Sequence, residues 1–183
     1  MTRVVAMSGS LRRGSYNAAL IDAAAAECPA HVEFRVWGGL AGIPAYDEDL
    51  DTVPPPLPVA ALRAEIERAD AVLIATPEYN AGIPGALKNA LDWVSRPFPH
   101  NCLRAKPVAV VGASTGLFGA AWAQAELRKV LTTIGASVID TGLSVHATDT
   151  AFTADGRLRE PAMAAALRVL VRDLLERTVR RAA

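Results

Sequence analysis

An excess of either charge is missing from this sequence: 19 Lys and Arg balance 19 Asp and Glu, so the formal net charge is +0 at pH 7. Without a basic surplus there is no electrostatic footprint for nucleic acid or an anionic membrane surface. Arginines do gather near the C-terminus (Arg168, Arg172, Arg177, Arg180, Arg181), but they alternate with Leu and Val at helical spacing, which reads as a solvated helix face. Cysteine is scarce. Cys28 and Cys102 form no C-x-x-C pair, so no disulfide framework is needed and a reducing, cytoplasmic setting is expected. His31, His100 and His146 lie in unrelated segments, and no metal site is expected. Long apolar runs are absent as well. Val4 to Met7 falls far short of a signal-peptide core. Pro107 to Ala125 carries no charge, but Gly112, Ser114, Thr115, Gly116 and Gly119 break it into strand, loop and helix, so no membrane span is expected.

What is present is aliphatic. Hydrophobic residues make up 51% of the chain and aromatics only 5%, a composition suited to helices packed on a buried sheet. The length fits one domain spanning 1–183. Val4–Met7, Ala71–Ala75 and Val108–Val111 are short, non-alternating apolar runs, the mark of strands covered on both faces. Val32, Phe34 and Val36 alternate with Glu33 and Arg35 and read as an edge strand, with Ser137–Asp140 a fifth candidate. Helical patterns fall between them: residues 17–27, then stripes through Leu62 and Ile66, through Leu87, Leu91 and Val94, and through Ala120 to Ile134 with Gly135 placed to end it. A last helix is entered through Pro161. Strict β-α alternation predicts an α/β fold with five parallel strands in the order 2-1-3-4-5. In such a sheet a ligand belongs beyond the carboxyl ends of the strands, at the switch point beside strands one and three.

Three loops occupy that place. Ser8 to Asn17 joins the first strand to a helix through Gly, Ser and Arg, so backbone N–H groups, hydroxyls and Arg12 or Arg13 converge where a monophosphate would sit. The spacing Gly9-x4-Gly14 echoes a P-loop, but Ser15 stands where a P-loop needs Lys, and G-x-G-x-x-G is absent. A nucleoside triphosphatase and a dinucleotide Rossmann site are therefore disfavoured. Thr76 to Gly85, stiffened by Pro77 and Pro84, offers an aromatic face and an amide at Tyr79 and Asn80, suited to the edge of a planar heterocycle. Gly112 to Gly119 is small enough for a ligand to approach the backbone.

These motifs carry a resemblance. Gly9-Ser10-Leu11-Arg12 with Ser15 and Asn17, then Thr76-Pro77-Glu78-Tyr79-Asn80, then Gly85-x-Leu87-Lys88-Asn89-Ala90-Leu91-Asp92-Trp93 resemble, in that order, the NADPH-dependent FMN reductase family, and within it the quinone- and chromate-reducing members of flavodoxin-like fold. The resemblance runs from about Val4 to Leu131. It implies a flavodoxin-like three-layer sandwich in which Ser10, Arg12, Ser15 and Asn17 hold the FMN phosphate, Pro77, Glu78, Tyr79 and Asn80 border the isoalloxazine, and Ser114 closes the pocket. Where many relatives have a second glycine after the third loop, this chain has Ala120. The resemblance further implies a homodimer or homotetramer, to which Trp93 and the Leu87/Leu91 stripe could contribute, although core packing is the commoner fate of such a stripe.

The expected activity is transfer of electrons from NADPH or NADH, through FMN, to a small acceptor such as a quinone, a flavin, an azo compound or a metal oxyanion. No side chain is assigned the redox step, which belongs to the flavin. The rival reading is a flavodoxin-type electron carrier without NAD(P)H oxidation of its own. Such carriers dock by strong negative charge, which this neutral chain lacks.

Overall fold

The computed structural model describes residues 1–146 and 150–182 of the chain. Five strands, β1 (Thr2–Ser8), β2 (Val32–Val36), β3 (Ala71–Thr76), β4 (Pro107–Ser114) and β5 (Ser137–His146), form one sheet. Its order is β2-β1-β3-β4-β5, every pair is parallel, and the expected topology is present. Four helices connect the strands, α1 (Tyr16–Ala26), α2 (Leu57–Arg68), α3 (Gly85–Val94) and α4 (Ala121–Ile134), and α5 (Pro161–Ala182) follows β5.

Alternation along the strands divides the core in two. Val4, Ala6, Leu73, Ala109 and Val111 pack against Leu20 and Ile21 of α1 and Leu167, Leu170 and Leu174 of α5. On the other face Val5, Met7, Val72, Ile74, Val108 and Val110 pack against α2, α3 and α4 through Leu62, Ile66, Leu87, Leu91, Leu127 and Leu131. Helices therefore cover both faces, which is why the central strands read as unbroken apolar runs. Trp93 is 0% exposed and sends its Nε1–H to the Pro44 carbonyl at 2.8 Å, so it and the Leu87/Leu91 stripe belong to the core and not to a subunit contact.

β5 runs to His146, well past the expected Asp140. The extension is polar on its outer side, and its pairing with β4 shifts register between Val108 and Val110. Arg128 reaches into that irregularity and donates to the carbonyls of Ile139 (2.6 Å) and Thr141 (3.0 Å). Gly135 ends α4 with φ 99° as expected. Arg168, Arg172, Arg177 and Arg180 are exposed along α5, whereas the side chain of Arg181 lies outside the described residues. Among the described residues, no helix is long and apolar enough to cross a membrane.

Register sets the site. Ser8 stands beside Ala75, and Thr76 beside Gly112, so β1, β3 and β4 finish level and release their loops at one edge of the sheet.

Candidate functional site

The first loop leaves β1 by crossing the root of the second. Gly9 donates its N–H to the Ala75 carbonyl at 2.8 Å. A Cβ there would lie 2.9 Å from Leu87 Cδ2 and 3.4 Å from Pro77 Cδ, so any larger residue would have to push the Leu87 side chain aside. Beyond it the turn is built on hydroxyls. Ser10 N–H donates to Ser8 Oγ (3.1 Å), and Ser15 is the extended N-cap of α1, its Oγ accepting from Asn17 N–H at 3.2 Å. Asn17 is buried. Its Nδ2 donates to the Ala113 carbonyl at 2.8 Å and its Oδ1 accepts from Ala113 N–H at 3.0 Å, which fastens α1 to the end of β4. Both ends of that amide are thus engaged by backbone, a structural duty that the sequence motif did not reveal.

The second loop folds into a two-residue hairpin. Tyr79 and Gly82 exchange backbone hydrogen bonds, each 3.0 Å, around Asn80 (φ 52°) and Ala81 (φ 60°). Positive φ at both central residues is what the tightest hairpin turns require; Asn tolerates it, while Ala is strained. Glu78, just before the turn, sends Oε2 to the first turn of α4, where it accepts from the N–H groups of Trp122 (3.0 Å) and Ala123 (3.1 Å). From the opposite side Glu126 Oε2 accepts from Ile83 N–H at 2.8 Å.

A pocket of ≈ 380 Å³ opens between the loops, within the roughly 300–1,000 Å³ typical of small-molecule sites. Of the nine residues expected from sequence, Ser10, Arg12, Ser15, Asn17, Pro77, Glu78, Tyr79 and Ser114 line it together. Asn80 stands exposed at the tip of its turn and is not among the lining residues. Tyr16, Ala113 and Thr115 also line it and were missed. Tyr16 had a signal, an aromatic directly after the helix cap, and the Arg12 guanidinium now lies 5.4 Å from its ring centroid.

The two ends of the pocket differ. The N-termini of α1 and α4 stand at this edge of the sheet, each the positive end of a helix dipole. That of α4 already holds the Glu78 carboxylate. That of α1 has only the Ser15 hydroxyl and no acidic residue in its first turn, so its field is left for an anion beside Arg12. Pro77 and Tyr79 give the other end flat walls. A slot that is cationic at one end and flat at the other fits an elongated phosphate ester of a planar ring, as FMN is.

A larger cavity, ≈ 680 Å³, lies beyond Leu117 and Phe118 against Val145, Leu158 and Met163. Its walls are mainly apolar, and its arginine, Arg159, already donates to the carbonyls of Thr150 (2.8 Å) and Phe152 (3.3 Å). The smaller pocket therefore carries the site. Among the described residues, no group of three or more His, Cys, Asp or Glu is gathered to hold a metal ion.

Comparison with known proteins agrees with this geometry. The sequence profile of the NADPH-dependent FMN reductase family matches residues 2–150. The chain is 41% identical to an NAD(P)H-dependent FMN reductase of Pseudomonas aeruginosa over 157 residues, covering 85% of this chain and 84% of that protein. It is likewise 41% identical to a quinone reductase of Escherichia coli strain K12 over 139 residues, covering 75% of this chain and 73% of that protein. Among solved structures it is similar to FerB, a flavoenzyme NAD(P)H:(acceptor) oxidoreductase from Paracoccus denitrificans, with a TM-score of 0.89, 34% identity and 98% of each chain covered. The pocket, the order of its loops and these likenesses agree, and the chain belongs to the NADPH-dependent FMN reductase family.

Proposed function

We propose that this protein is an FMN-dependent oxidoreductase that takes electrons from NADPH or NADH and passes them to a small acceptor, a quinone above all, with residues 1–183 acting as one FMN-binding domain. The observation that carries the reading is the pocket itself, a cationic, hydroxyl-lined turn at a helix N-terminus with no acidic residue in its first turn, joined to a flat wall of Pro77 and Tyr79. The names of the relatives from P. aeruginosa and E. coli support the choice of reductant and acceptor.

The chemistry supplied by bound FMN is acceptance of a hydride from the nicotinamide and delivery of two electrons to the acceptor. The protein's part is to bind and orient. Ser10, Arg12 and Ser15 hold the phosphate through charge-assisted hydrogen bonds and the α1 dipole. Asn17 holds the α1 end of the pocket against β4 through Ala113. Pro77, Glu78 and Tyr79 form the wall beside the ring, Asn80 shapes the turn that carries Tyr79, and Ser114 closes the pocket from the third loop. Leu117 and Phe118 of the third loop and Trp122 of α4 are 78%, 56% and 52% exposed, which supports association into a homodimer or homotetramer through that edge. The two free cysteines suit a cytoplasmic location.

Purified protein mixed with FMN, NADPH and a benzoquinone tests the reading. FMN retained through gel filtration and quinone-dependent NADPH oxidation are expected. FMN binding without NADPH oxidation would favour the electron-carrier reading, and no binding would remove both.

A further inference from the structure

We infer that Glu78 and Glu126 are positioning residues, two carboxylates that staple the hairpin carrying Tyr79 to the start of α4 and so set the width of the slot beside the ring. The inference rests on the FMN reading above.

The starting point is a helix that cannot cap itself. α4 is preceded by Ala120, left-handed at φ 66° and ψ 32°, with no side-chain bond to the first turn and no acidic residue within that turn. Ser, Thr, Asp or Asn normally fills this place, because the leading N–H groups of a helix need acceptors. Here the acceptor comes from another loop, with Glu78 Oε2 taking both Trp122 N–H and Ala123 N–H at 3.0 and 3.1 Å. An anion at a helix N-terminus is stabilised by the dipole as well as by the bonds.

The second tie runs the other way. Glu126, in the second turn of α4, accepts from Ile83 N–H at 2.8 Å. Glu78 immediately precedes the Tyr79–Gly82 hairpin and Ile83 immediately follows it, so the turn is pinned to α4 at both ends. Gly82 leaves room for the pin, since a Cβ there would lie 2.9 Å from Glu126 Oε2. Tyr79 lines the pocket from within the turn that the two carboxylates hold. The same geometry answers an electrostatic problem. A carboxylate in the wall of a site for an anionic cofactor would repel it, but two N–H groups and a helix dipole offset the charge of Glu78.

The test compares Glu78→Ala, Glu78→Gln and Glu126→Ala in FMN-loaded protein, reading kcat, KM, the visible circular dichroism of the flavin, and hydrogen exchange at Trp122 and Ala123. Gln keeps an acceptor oxygen and loses the charge. Displacing a binding wall by about an ångström costs up to roughly 100-fold in turnover, so Glu78→Ala is expected to lower kcat/KM on the order of 10- to 100-fold. It should also alter the flavin dichroism and speed exchange at both amides. Glu78→Gln should recover most of each loss, and Glu126→Ala should shift the dichroism in the same direction by less. Equal damage from Gln and Ala would mean that the charge acts directly on the ring, and unchanged dichroism and turnover in Glu78→Ala would mean that the staple positions nothing; either overturns the inference while the FMN reading stands. Wild-type protein that takes up no FMN would instead overturn the reading of the site, and the inference with it.

Discussion

Asn17 and Ala113 stand 96 residues apart in sequence, yet the side-chain amide of one and the backbone of the other exchange two hydrogen bonds, 2.8 and 3.0 Å long, in the buried interior. The pairing is complementary in both directions, donor to acceptor and acceptor to donor. Asn17→Ala leaves a buried N–H and a buried C=O without partners, and is expected to cost about 2–4 kcal/mol of stability. Asn17→Asp should be no better, because its carboxylate can accept from Ala113 N–H but faces the Ala113 carbonyl oxygen. Chemical denaturation reads both. A loss below about 1 kcal/mol would mean that water replaces the amide.

Arg12 and Arg13 are neighbours of one charge, but only Arg12 lines the pocket. If it donates to the phosphate, Arg12→Ala removes a charged hydrogen bond worth about 1.5–3 kcal/mol. FMN affinity should then fall roughly 10- to 100-fold, measured by flavin fluorescence titration. Arg13→Ala should change it by no more than about twofold, since Arg13 is exposed and lies outside the pocket lining. Equal effects at the two positions would remove Arg12 from the site.

Ala81 is exposed and held at φ 60° in the hairpin before α3. Left-handed backbone costs a residue with a Cβ about 1–2 kcal/mol, of which glycine gives back about 0.4–1 through its freer unfolded chain. Ala81→Gly should therefore stabilise the protein by about 0.5–1 kcal/mol and raise Tm by about 1–4 °C in a calorimetric scan. A lowered Tm would show that the turn is not strained.

Trp93 and Trp122 should part ways. Trp93 is fully buried and bonded to Pro44, so Trp93→Phe should cost about 1–2 kcal/mol and leave the mass in light scattering unchanged. Trp122 is half exposed and packs edge-on against Phe118 with ring centroids 4.9 Å apart. Trp122→Ser should cost little stability and lower the mass of any oligomer. The reverse pattern would move the subunit contact elsewhere.

Burial pushes the Cys28 thiol up to about 11 and the Cys102 thiol up to about 12, from an ordinary 9.0. At pH 8 the thiolate fraction of Cys28 is then about a hundredth of an ordinary thiol's. Iodoacetamide followed by mass spectrometry should label neither cysteine in the native protein and both after unfolding. The sign for stability follows: above pH 9.0 the unfolded chain releases protons that the folded chain keeps, so stability is full below that pH and falls towards about 11–12. Fast native labelling at pH 8 would contradict the burial.

The fold was readable because the central strands are covered on both faces and so appear as bare apolar runs, and because Gly135 and Pro161 punctuate their helices. The first loop's place in the pocket was readable for a similar reason, since its lining residues lie within one short segment from Ser8 to Asn17. What escaped is long-range. The partner of Glu78 lies 44 residues onward and that of Asn17 lies 96, and no local pattern marks such pairs. The outer half of β5 escaped because an edge strand with Thr141, Gly142 and Ser144 does not look apolar. Ala81 and Ala120 escaped because alanine is a poor signal for the left-handed backbone both adopt.

The amide clamp between α1 and the end of β4 has a practical corollary. Groups already joined to each other surrender little chain freedom when a ligand arrives, so this side of the pocket stands ready before occupancy. The apoprotein should keep its shape on losing its pigment and accept ring-modified analogues without refolding, making the chain a convenient host for artificial redox groups.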